Sequence, residues 1–148
     1  MFRGVAQLNL DSKGRLAVPA RFRDALAARC SGNLVVTADS DRCLLIYPLP
    51  DWEPIEQKLM ALSSFNAQIR ELQRRLVGYA EDVAMDATGR ILVPPALRNY
   101  AQLEKAAVLV GQGHKFELWN KDGWEAGMEK GGDFGAGGLP PELEGFSL

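Results

Sequence analysis

The chain has 148 residues, 47% hydrophobic and 24% charged, with a net charge of −2 at pH 7. That is one domain's worth of chain, or two small repeats around a shared core, and no apolar run approaches the ~18 residues of a membrane span. A single histidine, His114, and two cysteines without CxxC spacing, Cys30 and Cys43, provide neither a metal set nor a His-dependent nucleophile.

The opening Met-Phe-Arg-Gly-Val-Ala-Gln lacks the apolar stretch of a secretory signal. A cytoplasmic chain with buried, unpaired thiols is therefore expected. Residues 7–10, Gln-Leu-Asn-Leu, alternate as a half-buried strand does. Residues 11–14, Asp-Ser-Lys-Gly, form a turn: Asp bonds the backbone ahead of it and Gly supplies positive φ. Residues 15–18 return as a second strand with Leu16 and Val18 on one face, Lys13 at the loop tip and Arg15 at its base. Pro19 fits the first turn of a helix over about residues 20–28 that buries Phe22, Ala25 and Leu26. Strands at 34–38 and 44–47 are joined by a polar turn. Asp51 is a candidate N-cap for a helix carrying Pro54, Ile55, Leu59 and Leu62. Ser63 or Ser64 restarts a second helix through residue 78, with Phe65, Ile69, Leu72 and Leu76 as its stripe and Arg70, Arg74 and Arg75 facing solvent or another subunit.

The same plan then returns: strand 83–85, turn 86–89, strand 90–93, Pro94, a short helix to about residue 101, and strands 107–110 and 115–119 joined through Gly111-Gln112-Gly113. That glycine pair is a turn and lacks the context of a phosphate loop. A weaker helix follows Trp124 over residues 125–130, and the Gly-rich stretch beyond residue 131, with Pro140-Pro141, is expected to be disordered.

The return is a repeat. Asp-Ser-Lys-Gly-Arg-Leu-Ala-Val-Pro-Ala-Arg-Phe-Arg at 11–23 matches Asp-Ala-Thr-Gly-Arg-Ile-Leu-Val-Pro-Pro-Ala-Leu-Arg at 86–98, with six identities: Asp11/Asp86, Gly14/Gly89, Arg15/Arg90, Val18/Val93, Pro19/Pro94 and Arg23/Arg98. Leu34-Val35-Val36 aligns with Ala106-Ala107-Val108, residues 43–47 with 115–119, and Trp52 with Trp124. The offset falls from 75 to 72, placing three extra residues near 28–33, where a loop tolerates length change. Two copies imply a pseudo-symmetric domain that presents one surface device twice. The chain divides into a first repeat (1–50), a helical connector (51–78), a second repeat with a C-terminal helix (79–130) and a Gly-rich tail (131–148).

Charge is segregated: residues 1–29 carry net +4 and residues 117–148 net −5. Fields are local at physiological salt, so a basic face can meet phosphate while an acidic tail points away. Turn and cap chemistry alone explains the repeated Asp, Gly and Pro. Arg15 and Arg90 ask for more. An Arg just after a tight turn, with Asp11 or Asp86 to hold its guanidinium, is pre-oriented for bidentate phosphate or guanine recognition. Arg21 and Arg23 read as a solvated helix face, and Trp52, Trp119 and Trp124 as core or subunit-contact residues.

With these residues in view, the chain resembles the MraZ family, bacterial transcriptional regulators related to AbrB-type DNA-binding domains. The resemblance rests on Asp11…Arg15 and Asp86…Arg90, the opening Met-Phe-Arg-Gly, Ile-Leu-Val-Pro at 91–94, Leu-Glu-Lys at 103–105, and Phe-Glu-Leu-Trp at 116–119 with Trp124; it covers about residues 1–128. It implies an α+β fold, a double-split, swapped-hairpin, AbrB-like β-barrel of two intertwined repeats, with helices between and after them. It also implies ring-shaped homo-oligomers, octamers or dodecamers, associated with the nucleoid. The family is expected to bind double-stranded, G-rich promoter repeats upstream of its own division and cell-wall gene cluster, chiefly as a repressor. On this chain the resemblance places DNA contact on Lys13, Arg15 and Arg90, with Arg3 a weaker candidate, supported by Asp11, Gly14, Asp86 and Gly89. Thr88 departs from the pattern where the first turn has Lys13. No cofactor, metal, membrane or small-molecule substrate is expected. The competing readings are an antitoxin-like module on an AbrB-type barrel, which would use a C-terminal segment to hold its partner, and an enzyme, for which no nucleophile with a base or nucleotide loop is visible.

Overall fold

The computed structural model describes residues 1–130 and 140–146. Its strands are β1 (Phe2–Asn9), β2 (Arg15–Ala17), β3 (Asn33–Ala38), β4 (Leu44–Pro48), β5 (Glu81–Ala84), β6 (Arg90–Leu92), β7 (Ala106–Gly113) and β8 (Phe116–Asn120). Its α-helices are α1 (Ala20–Cys30), α2 (Leu49–Met60), α3 (Ala67–Gln73), α4 (Pro95–Tyr100) and α5 (Lys121–Lys130).

The fold is α+β, and its antiparallel sheet is shared between the repeats. Six strands run in the order β1-β7-β8-β4-β3-β5, and β2 and β6 form a separate ribbon. Exchanging repeat one for repeat two reverses the order and leaves it unchanged. β1 therefore pairs with β7 of the other repeat, Leu8 opposite Ala107, and β5 pairs with β3, Val83 opposite Leu34. The strand, turn, strand unit expected at residues 7–18 is accordingly not a hairpin. Its turn closes, Gly14 N–H donating to Asp11 C=O at 3.0 Å, but beyond the turn the two strands part to different partners. The β3–β4 and β7–β8 hairpins form as expected.

Strand pairing also corrects the internal alignment. Leu34 pairs with Pro48 and with Val83, while Ala107 pairs with Asn120 and with Leu8. The counterpart of Leu34 is therefore Ala107, one residue beyond the sequence match. The extra length of the first copy lies in its helix and in its hairpin turn. α1 has 11 residues and ends in an αL cap at Ser31, whereas α4 has 6.

The core lies between the sheet and the ribbon. Leu34, Val36, Ile46, Leu109, Phe116 and Leu118 from the sheet meet Leu16, Val18, Ile91 and Val93 from the ribbon segments, with Phe22 and Leu26 of α1 and Leu97 of α4. The opposite sheet face is covered by α2, on β3 and β4, and by α5, on β7 and β8. Cover on both faces explains why residues Leu34 to Ala38 are buried without alternation. Each covering helix brings a tryptophan to an aromatic partner on the preceding strand, Trp52 to Tyr47 at 5.5 Å and Trp124 to Trp119 at 5.9 Å between ring centroids. Trp52 is buried and Trp124 half-buried.

Several helix boundaries differ from expectation for identifiable reasons. Pro19 and Pro94 stand at N-cap positions, not inside the first turn. α2 begins before Asp51, whose carboxylate instead pairs with Arg29 at 2.7 Å. Asn66 caps α3, accepting from the Gln68 and Ile69 N–H groups, so Phe65 precedes the helix and is 96% exposed. α3 passes into a π-helical turn, Arg74–Gly78. There Leu76 C=O accepts from the buried Thr37 hydroxyl at 2.6 Å, satisfying the one fully buried polar side chain among the described residues. Arg75 is partly covered and pairs with Glu71 at 2.7 Å. Cys30 and Cys43 are free and buried. The expectation of a disordered tail falls on residues 131–139 and 147–148, outside the described residues; residues Pro141–Leu143 form one 3-10 turn.

Candidate nucleic-acid interface

The two repeated turns end on a single small surface. In the ribbon, Arg15 lies opposite Leu92, Leu16 opposite Ile91, and Ala17 opposite Arg90. Side chains alternate across a strand, so Leu16 and Ile91 point into the core and are 1% exposed. Arg15, Ala17, Arg90 and Leu92 all lie on the outer face, with the two arginines at diagonal corners, about 7–8 Å apart at the backbone. Leu92, 48% exposed, and Ala17 fill the other two corners.

Each arginine is aimed by the aspartate that opens its turn. Asp11 accepts from the Lys13 and Arg15 N–H groups at 2.9 Å each, and its second oxygen accepts from Arg15 Nε at 2.8 Å. The guanidinium is thereby held through one edge nitrogen. Among the described residues its two terminal NH2 groups have no partner, and they are free for a bidentate acceptor such as phosphate or the O6/N7 edge of guanine. Gly14 at φ 84° and Gly89 at φ 81° allow the chain to reverse here.

The second turn is built differently. Asp86 accepts from the N–H of Thr88 at 2.9 Å and of Arg90 at 2.8 Å, as in the first turn. Thr88 Oγ1 then donates to Asp86 at 2.8 Å and accepts from Arg90 Nε at 3.1 Å. The direct Arg90–Asp86 ion pair lengthens to 3.4 Å, against 2.8 Å in the first turn. The hydroxyl that replaces the Lys13 ammonium is thus a relay. The Arg15 side chain is 33% exposed and that of Arg90 40%.

Both carboxyls sit well below their usual range. Asp11 is held at about 2, first by the Arg15 backbone N–H and then by its guanidinium and the Lys13 N–H; Asp86 is held at about 2 by the Arg90 backbone N–H and then by the Thr88 hydroxyl. Both turns are consequently charged and closed at every physiological pH.

The structure brings together Asp11, Lys13, Gly14, Arg15, Asp86, Gly89 and Arg90. It does not bring Arg3 to them: Arg3 is opposite Gln112 at the far end of β1, some six residues or about 20 Å of strand from the turn. Sequence reading missed Thr88 as a relay and Ala17 and Leu92 as members of the face. The outer positions of the 15–18 and 90–93 alternation carried that signal.

Residues 1–75 and 76–133 each match the family described as "MraZ protein, putative antitoxin-like". A protein named transcriptional regulator MraZ from Nitrosospira multiformis is 63% identical over 148 residues, and one from Thiobacillus denitrificans 60% over 148 residues, each covering both chains completely. A third of the same name, from Pseudomonas aeruginosa, is 52% identical over 153 residues, again covering both chains. The chain belongs to the MraZ family.

Proposed function

We propose that this protein is a sequence-specific DNA-binding transcriptional regulator that uses the outer face of the β2–β6 ribbon to read double-stranded DNA. The observation that carries the reading is the pair of arginines at diagonal corners of that face, Arg15 aimed directly by Asp11 and Arg90 by Asp86 through Thr88, each with terminal NH2 groups that have no partner among the described residues. Lys13 extends the positive edge beside Arg15, and Arg3 is a peripheral contact. The names of the full-length relatives support the regulatory role.

In this reading the six-stranded sheet and the ribbon are the two walls of a double-split barrel, with the exchange of β1 and β5 standing in for the exchange of chains in an AbrB-type dimer. The working division is a first repeat to residue 50, a connector to 78, a second repeat to 130 and a tail. The targets are G-rich repeats upstream of the protein's own gene cluster, the outcome is chiefly repression in the nucleoid, and the working assembly is a homo-oligomeric ring of eight or twelve subunits. One subunit with net charge −2 holds DNA weakly, so affinity comes from several ribbon faces on spaced repeats, through effective concentration without new contacts.

The test is fluorescence anisotropy on the DNA upstream of the gene, comparing intact, single-repeat and scrambled fragments across salt concentrations. Steep salt dependence and a loss beyond additivity on deleting one repeat are expected. Equal affinity for all three fragments would overturn the reading and leave the antitoxin-like alternative, in which a protein partner is the ligand.

A further inference from the structure

The helix arginines Arg23 and Arg98 are the repeated arginine pair that the ribbon face does not use. Neither is simply solvated. Arg98, on α4 of the second repeat, donates from Nε to Val93 C=O at 2.8 Å, and its guanidinium lies against Gly14 of the first repeat. The approach is so close that a Cβ at Gly14 would stand 2.5 Å from Arg98 Cζ. Arg23, on α1 of the first repeat, donates from Nε to Val18 C=O at 2.6 Å and lies against Gly89 of the second, where a Cβ would stand 2.6 Å from Arg23 Cδ.

The peptides between are wired in the same crossed sense. Val93 N–H donates to Gly14 C=O at 3.0 Å, and Val18 N–H to Gly89 C=O at 2.8 Å. Hydrogen bonds, joined through the covalent backbone of each residue between them, therefore link Arg98 to Val93, Val93 to Gly14, Gly14 to Asp11, and Asp11 to Arg15. The mirror set runs from Arg23 through Val18 and Gly89 to Asp86 and Arg90.

We propose that Arg23 and Arg98 are crossed positioning residues: Arg98 of the second repeat sets the geometry of the Arg15 turn, and Arg23 of the first repeat sets that of the Arg90 turn. Each planar guanidinium fills the space left by a glycine, clamping the turn from beneath while its aspartate holds it from within. Lysine cannot do the same, because a single ammonium lacks both the plane and the Nε–H fork.

Two measurements test this on the full chain, one free of DNA. In the first, amide exchange is read by mass spectrometry on peptides covering residues 10–16 and 85–91. Arg98→Ala is expected to speed exchange in the first peptide only, and Arg23→Ala in the second only. Arg98→Lys should behave like Arg98→Ala, and it carries the comparison if the alanine variant does not fold. Exchange that speeds equally in both turns, speeds in the turn of the same repeat, or does not change would overturn the crossed assignment.

The second measurement rests on the DNA-binding reading above. Arg98→Ala should weaken binding to the upstream fragment roughly tenfold in the wild-type and Arg90→Ala backgrounds and add almost nothing in Arg15→Ala, the signature of a coupled pair. Equal effects in the Arg90→Ala and Arg15→Ala backgrounds would overturn the proposal. The two readings fail separately: wild-type DNA affinity in Arg15→Ala defeats the DNA reading, and the exchange result still decides the crossed positioning.

Discussion

The two turns share a backbone and differ in one side chain. In the first, Asp11 grips Arg15 directly at 2.8 Å and Lys13 extends into solvent. In the second, Thr88 stands where the lysine would be and threads its hydroxyl between Asp86 and Arg90. The replacement removes one positive charge from the rim and adds one hydrogen bond to the brace. The first turn is therefore the stronger attractor for phosphate, while the second holds its arginine through a neutral intermediary. A pseudo-symmetric fold can thus present two inequivalent arginine turns on one face.

The comparison breaks most sharply at the arginines. If the ribbon face meets DNA as proposed, Arg15→Ala removes a charge-assisted contact, which costs about 1.5–3 kcal/mol, or roughly ten- to a hundredfold per face, and a multivalent assembly would multiply the loss. Arg90→Ala should act in the same direction but less, since its rim lacks the lysine. Both variants should keep the wild-type melting temperature and assembly, because neither side chain fills the core; anisotropy together with thermal melts checks this. Loss on scrambled DNA as well as target DNA, with a shallower salt slope, would assign Arg15 to phosphate; selective loss on target DNA would assign it to guanine.

Gly14→Ala comes next, and here stability is the readout. Alanine at φ 84° is strained, and its Cβ collides with the Arg98 guanidinium. Strain at such a position costs on the order of 1–3 kcal/mol, a drop of several degrees in melting temperature. Gly89→Ala should match it through Arg23, and a marked difference between the two would show that the repeats are not equally braced.

Thr88→Val removes the relay at nearly constant shape. Arg90 should then loosen, with a few-fold loss of affinity from a hydrogen bond of about 1 kcal/mol and no change at the first turn. Thr88→Lys converts the second turn toward the first and should steepen the salt slope by about one phosphate contact.

The smallest effect is that of pH. Both carboxyls are depressed to about 2 from an ordinary 3.8. A depressed acid stabilises the fold above its unfolded pKa and loses that contribution as pH falls through the folded value. The two turns should therefore lose amide protection together between about pH 4 and pH 2, and these groups should leave DNA binding flat from pH 5 to 8.

Much of this was legible in the sequence. The turns, the aspartate beside each arginine, the β3–β4 and β7–β8 hairpins and the helix after each proline all follow from local chemistry. The partners of β1 and β5 did not, since alternation at residues 7–10 marks a half-buried strand without saying which strand lies beside it. The equivalence of Leu34 with Ala107 was also hidden, because runs of small apolar residues align equally well one position apart. Arg23 was read as part of a solvated helix face, and Arg98 only as its repeat match, because the group each one touches lies in the other repeat, some 66 to 84 residues away. The doubled glycine did carry the signal: Gly14 and Gly89 were assigned to turn chemistry alone, although each also leaves room for an arginine from across the molecule.

The palindromic strand order has a consequence for the nascent chain. When the ribosome has completed the first repeat, β3 lacks β5 on one side, β1 has nothing to pair with until β7 is made, and β2 waits for β6. Closing β1 onto β7 joins segments about a hundred residues apart, and such pairings pay their loop-closure entropy before any contact rewards it. Completion of the sheet is consequently deferred until β8, which joins β7 to β4, has emerged at residue 120, and synthesis halted earlier leaves unpaired strands whose complements exist only in a second chain.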